Sequence, residues 1–138
     1  MPKKLSYFNL NGLAEPIRYI LHYTNQEFED VRYDVYSWPD PKIKASLPYG
    51  QFPVYEEDGR VLTKAWPSPN VVPTLSWGDF VFCGVIEASD MFLGIELSKD
   101  YPAVGTLVQH IRNLPGVKEY VKSIGPYTID LARFKYKK

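Results

Sequence analysis

A tyrosine occupies a chemically useful place in this chain. Leu5-Ser6-Tyr7-Phe8-Asn9 reads as a short strand, and Gly12-Leu13-Ala14-Glu15-Pro16-Ile17-Arg18 reads as a tight turn running into a helix. Pro16 suits a first helical turn, where its missing N–H would be unpaired anyway. The pattern puts a phenolic hydroxyl at the carboxyl end of a strand, beside a helix N-terminus. Backbone N–H groups and the helix dipole converge there, and open α/β sheets bind ligands there. Such a tyrosine can donate a hydrogen bond to an anion. If the anion is a thiolate, the bond favours the charged form and lowers the thiol's pKa. The chain has eleven tyrosines, so a half-buried strand residue is the simpler account of Tyr7 on position alone.

Other chemistry-bearing residues point nowhere in particular. There is no Gly-rich phosphate loop and no cysteine pair that would suggest zinc or a redox couple. The single cysteine, Cys83, lies in the apolar run Phe80-Val81-Phe82-Cys83-Gly84-Val85-Ile86. It excludes an intramolecular disulfide and fits a reduced, cytoplasmic setting. His22 and His110 fall in separate helical stretches and read as surface or satisfied core histidines rather than metal ligands. Sixteen basic residues balance sixteen acidic ones, so no global field argues for nucleic acid or a membrane surface. Met1-Pro2-Lys3-Lys4 lacks the apolar stretch of a signal peptide, and no apolar run is long enough to span a bilayer.

The elements that must hold these residues can be read from periodicity. At 138 residues with 45% hydrophobic and 15% aromatic content, the chain can bury a core. Lys4 to Phe8 is a strand. Ala14 to Thr24 is a helix with Ile17, Ile20 and Leu21 on one stripe, and Asn25 is its left-handed stop. Glu29 to Val35 alternates as a second strand, so the two strands are parallel with a right-handed crossover. A Pro-rich loop is expected from Trp38 to Pro48. Asp58-Gly59 between Phe52–Glu57 and Arg60–Thr63 is a hairpin signal. Residues 66–75 hold three prolines in the stretch Trp66 to Pro73 and read as a linker. Beyond it the period becomes helical. Ser76-Trp77-Gly78-Asp79 resembles a capping box opening a helix to about Leu93 that is apolar on nearly every side, which calls for burial all round. Tyr101-Pro102 and Pro115 open two further helices. Arg133 to Lys138 reads as a solvated basic end.

Taken in order, several segments resemble the N-terminal domain of the sigma-class glutathione transferases. They are Leu5 to Asn9, Gly12 to Arg18, Glu29-Asp30-Val31-Arg32, Trp38-Pro39, Leu47-Pro48-Tyr49-Gly50-Gln51-Phe52-Pro53-Val54 and Asp58-Gly59. That group includes insect enzymes, glutathione-dependent prostaglandin D synthase and the S-crystallins. Ser76 to Phe80, Tyr101-Pro102-Ala103 and Leu114 to Tyr120 resemble the last third of the same family. The middle, with a helix that packs on the sheet and two long helices, is missing by this comparison.

The resemblance implies an α/β + α fold: a thioredoxin-like βαβ–ββ domain over 1–65, the linker 66–75, a shortened all-helical remnant over 76–126 and a basic tail over 127–138. It implies that Tyr7 is the catalytic residue that stabilises the glutathione thiolate. It places Phe8 beside Tyr7 in the glutathione site, and gives Phe52 the backbone that pairs with the cysteinyl unit like an added strand. Pro53 matches a cis proline, Gly50 and Gln51 fall in the matching turn, and Trp38 contacts the glycyl end. The matching lysine is Lys42 if counted from Trp38 and Lys44 if counted from Pro48; the tighter downstream match favours Lys44. Leu13 stands where prostaglandin-synthase-like members carry arginine, which removes support for that activity. Lys64-Ala65 stands where Gln-Ser would hold the γ-glutamyl carboxylate, and lysine lacks an amide's paired donor and acceptor.

The expected function is therefore that of a glutathione transferase homologue. It would conjugate glutathione, as co-substrate and without a metal, to small hydrophobic electrophiles in detoxification, weakly in so short a chain. The partners implied are those two molecules and, by homodimer formation or self-association, a second copy. Two rival readings stand beside it. One is a non-catalytic glutathione-binding or crystallin-like structural homologue; the other is a truncated splice or gene-model product.

Overall fold

The computed structural model describes residues 2–63 and 75–133. Lys64-Ala65, all of the expected linker except Leu75, and the tail beyond Arg133 lie outside the described residues.

The N-terminal half is a four-stranded mixed sheet. β1 (Lys3–Phe8) leads through α1 (Glu15–Tyr23) to β2 (Phe28–Tyr33), and β3 (Val54–Glu57) turns back as β4 (Arg60–Thr63). The order is β2-β1-β3-β4, with β1 parallel to β2 and antiparallel to β3. Asn25 ends α1 at φ 51°, and Asp58 and Gly59 make the β3–β4 turn at φ 49° and 76°, as their side chains permit.

Two elements differ from the sequence expectation. β2 stops at Tyr33 rather than Val35, because Asp34 turns the chain. Its carboxylate accepts from the Tyr36 N–H at 3.1 Å and the Ser37 hydroxyl at 2.7 Å, capping a 3-10 turn. The Pro-rich loop contains a helix, α2 (Pro41–Ser46). Asp40 caps it by accepting from the Lys42 and Ile43 N–H groups at 2.8 and 3.1 Å, with Pro41 in the first turn. Asp-Pro was the readable signal.

The C-terminal half packs α3 (Trp77–Leu93), the single turn α4 (Leu97–Asp100), α5 (Pro102–Arg112) and α6 (Val117–Ile124). The capping box is present: the Ser76 N–H and hydroxyl donate to one Asp79 oxygen at 2.8 and 3.0 Å. α4 was not legible in the sequence; Asp90 holds it by accepting from the Leu97 N–H and the Ser98 hydroxyl.

α1 joins the two halves. Every residue from Glu15 to Leu21 is buried. One side of the helix, with Ile17 and Leu21, packs on Leu5 and Tyr7 of the sheet. The other, with Tyr19 and Ile20, packs on Phe80, Cys83 and Ile86 of α3, Val108 and Ile111 of α5, and Val117 and Tyr120 of α6. α3 is not enclosed all round: Phe80, Cys83 and Ile86 are buried, whereas Phe82 and Val85 are nearly half exposed. Among the described residues, no helix is long and apolar enough to cross a membrane.

Candidate functional site

Strand alternation sends neighbouring residues of β1 to opposite faces. Tyr7 points with Leu5 toward α1 and is 7% exposed. Phe8 follows at the strand end, with its ring centroid 5.2 Å from that of Tyr7. It meets Trp38, with ring centroids 5.5 Å apart, and Phe52, 5.0 Å apart. Trp38 and Phe52 stand 5.3 Å apart, and the Tyr33 ring closes on Phe52 at 4.8 Å. These aromatic rings cover the sheet end beside β3, and the Phe52–Pro53 peptide leading into β3 is cis.

The Tyr7 hydroxyl lies on the β1–α1 loop. Its oxygen accepts from the Leu13 N–H at 3.2 Å. A hydroxyl has one proton and two lone pairs, so this bond leaves the phenolic proton free to donate elsewhere. Burial pushes the Tyr7 pKa above the usual phenol value, against the smaller opposing pull of the Leu13 N–H and the Arg18 guanidinium. The hydroxyl therefore keeps its proton at neutral pH, which a hydrogen-bond donor to an anion requires.

Arg18 is the residue that sequence reasoning missed as a determinant of this geometry. Its guanidinium is fully buried and donates to the Leu10 carbonyl at 2.7 Å and the Phe8 carbonyl at 3.2 Å. It thereby ties both ends of the turn after Tyr7. It also pairs with Glu15 at 3.0 Å and Asp30 at 3.1 Å. The signal was a charged pair, Glu15 and Arg18, one turn apart in a stretch that the core needs on every side.

The network extends into the C-terminal half. Tyr127 donates to Glu15 at 3.0 Å, and Arg32 donates to the Tyr127 and Tyr120 hydroxyls, each at 2.9 Å. Residues 127–133 consequently fold back across the sheet instead of running free. The Tyr36 hydroxyl accepts from the Asp130 N–H at 2.8 Å, and the Arg133 guanidinium lies 3.8 Å from the Tyr36 ring centroid. The ends of β1 and β2 and this returning segment line an open cleft of about 730 Å³, with Leu10, Arg32, Tyr33, Ile129 and Asp130 among its walls.

The remaining expected site residues are placed as follows. Gly50 takes φ 61° in a turn beside α2, and the Lys44 stem packs over it; a methyl there would stand 3.1 Å from Lys44 Cγ. Lys44 and Lys42 both lie on α2 and are exposed, but it is Lys44 that leans on the turn. Gln51 is extended and exposed, adjoining Phe52. Cys83 of α3 is buried in the core that α3 shares with Tyr19 and Ile20 of α1, and burial pushes its thiol pKa well up, away from reactivity. His22 stacks on Tyr120 and His110 is exposed. Among the described residues, no group of three or more His, Cys, Asp or Glu is placed to hold a metal ion.

The chain resembles known proteins in two separate stretches of sequence and in fold. Residues 70–124 match the family model for the glutathione S-transferase C-terminal domain. Over 56 residues, 41% of this chain and 22% of the relative, the sequence is 52% identical to glutathione S-transferase S1 of Drosophila melanogaster. Over 59 residues, 43% of this chain and 29% of the relative, it is 48% identical to hematopoietic prostaglandin D synthase of Homo sapiens. The matched stretch thus spans less than a third of those relatives' length. Among solved structures, prostaglandin synthase D of Nilaparvata lugens superposes with a TM-score of 0.75 at 22% identity, covering 92% of this chain and 100% of that one. A Caenorhabditis elegans glutathione S-transferase superposes at 0.72 and 17% identity, covering 91% and 99%. Over these stretches the chain is similar in sequence to glutathione transferases, and its sheet-and-helix fold resembles theirs.

Proposed function

We propose that this chain binds glutathione at the carboxyl end of β1 and conjugates its thiolate to small electrophiles, as a sigma-class member of its family. The observation that carries the reading is the Tyr7 hydroxyl: buried, protonated, and held by the Leu13 N–H with its own proton free. In the reaction the thiol proton passes to solvent, and the resulting thiolate is stabilised by the Tyr7 O–H. A sulfur lone pair forms the new bond to carbon, and the leaving group departs with its bonding electrons.

The other groups fit the tripeptide by chemistry. Phe52, whose cis peptide to Pro53 leads into β3, offers backbone N–H and C=O to the cysteinyl unit. The Lys44 ammonium and the Trp38 indole suit the glycyl carboxylate, with Gly50 and Gln51 forming the turn between them. Phe8 and Pro53 shape the wall. The site is built by the domain 1–65, joined through 66–75 to the helical remnant 76–126 and the tail 127–138. A reduced cytoplasmic setting keeps the substrate thiol free.

A second reading is glutathione binding without efficient conjugation. The half-exposed Phe82 and Val85 on α3 favour it, because a chain lacking the family's middle helices would leave that face and the electrophile pocket open. Calorimetric titration with glutathione, followed by turnover of an aromatic halide, separates the two readings. Binding with Tyr7-dependent turnover supports conjugation; binding alone supports the second reading; no binding overturns both.

A further inference from the structure

One backbone position of the β1–α1 loop lies directly against the Tyr7 hydroxyl. Gly12 has φ 48°, and a methyl built on its Cα would stand 2.5 Å from Tyr7 Oη, 3.0 Å from Tyr7 Cε1 and 3.0 Å from Leu10 Cδ1. A carbon cannot approach an oxygen so closely, so the phenol or the loop would have to move. Neither has an easy route. The Tyr7 ring is buried, with Phe8 at 5.2 Å and Phe52 at 6.4 Å between centroids. The loop is tied by Arg18 to the Phe8 and Leu10 carbonyls, and the Gly12 N–H donates to the buried Asn11 side chain at 2.7 Å.

We infer that Gly12 is a positioning residue for the Tyr7 hydroxyl: the missing side chain lets the oxygen settle on the Leu13 N–H, which fixes the direction in which the phenolic proton points. The inference rests on the proposed glutathione site and names the group that aims its donor. Gly12 acts through Tyr7 and need not touch the ligand. A freely turning hydroxyl spreads its proton over several directions; one whose lone pair is held by a fixed N–H presents it in few. A donor bond to an anion weakens steeply when its geometry is lost. A methyl at Gly12 would lift the oxygen off the Leu13 N–H and away from the sulfur.

The test is a double-mutant cycle of Gly12→Ala and Tyr7→Phe on the full chain. Two readouts are taken: hydrogen exchange of the Leu13 amide without ligand, and ultraviolet titration of the thiolate of bound glutathione. Each single variant is expected to speed Leu13 exchange and to reduce the thiolate fraction near neutral pH, Gly12→Ala by on the order of tenfold. In the Tyr7→Phe background Gly12→Ala should add little to either readout, because the Leu13–Tyr7 bond that the methyl would break is already gone; the contacts with ring Cε1 and Leu10 Cδ1 are common to both backgrounds. The left-handed backbone strain at position 12 is present in both backgrounds and cancels in the cycle. Additive effects, or a Gly12→Ala protein with unchanged Leu13 exchange, would overturn the inference. If Gly12→Ala does not fold, Gly12→Asn, which tolerates positive φ, takes its place. If the parent chain binds no glutathione, non-additive Leu13 exchange still upholds the positioning role while the glutathione reading falls.

Discussion

At the scale of single residues, the site depends on one proton and one buried charge cluster. Tyr7→Phe removes a hydrogen bond to a charged acceptor, a loss of about 1.5–3 kcal/mol. The expected outcome is a higher apparent thiol pKa for bound glutathione and roughly 10- to 100-fold slower conjugation near neutral pH; the pH–rate profile of a folded variant checks it. His22 sets a second pH dependence, this time of stability. Its ring stacks on Tyr120 at 4.2 Å, and burial lowers its pKa below the ordinary 6.5, opposed by Asp30 and reinforced by Arg32 and Arg18. The folded chain therefore resists a proton that the unfolded chain accepts. Stability from this residue is full above pH 6.5 and declines as pH falls from there toward the folded value. His22→Phe should flatten that part of the pH–stability curve, and denaturant midpoints across pH 5–8 would show it.

At the scale of elements, α1 matters most because it is the shared wall of both halves. α3 approaches it through Gly84, where an added methyl would lie 2.4 Å from Pro16 Cγ and 2.7 Å from Cδ. Valine gains a few tenths of a kcal/mol over glycine in helix propensity, which is small beside the cost of overpacking. Gly84→Val is expected to lower stability by about 1–3 kcal/mol, seen as a reduced urea midpoint. α2 carries its own dependence on Asp40, the cap that accepts two N–H groups. Asp40→Ala should cost about 0.5–2 kcal/mol of local helix stability. Because α2 carries Lys44, the same change should weaken glutathione binding while leaving turnover at saturating glutathione nearly unchanged.

At the scale of the whole molecule, each half leaves apolar surface in water. Val61 and Leu62 of β4 are 49% and 44% exposed, and Phe82 and Val85 of α3 are 45% and 48% exposed. Exposed apolar area that is contiguous beyond a few hundred Å² marks association or aggregation. The chain is expected to self-associate or to bind a hydrophobic dye, and light scattering after size exclusion would report it. Phe82→Ser should reduce both signals. A single monomeric peak without dye binding would show that these residues are too scattered to form a sticky face.

What the sequence determined by itself is what acts over a few residues. Lys4 to Phe8 made the first strand and brought Tyr7 to its carboxyl end, Asp58-Gly59 made the hairpin, and Ser76 with Asp79 opened α3. Even the misread Trp38–Pro48 stretch held a local signal, in Asp40-Pro41. What only the tertiary structure decided is burial that depends on distant partners. Glu15 and Arg18 look like the solvated side of an amphipathic helix, yet both are 0% exposed. They are buried because Tyr127, 112 residues from Glu15, supplies a hydroxyl, and because the Phe8 and Leu10 carbonyls accept from Arg18. A buried charge survives only when its donors and acceptors are paired. Those partners are assembled by the fold, and no periodicity in the helix itself records them.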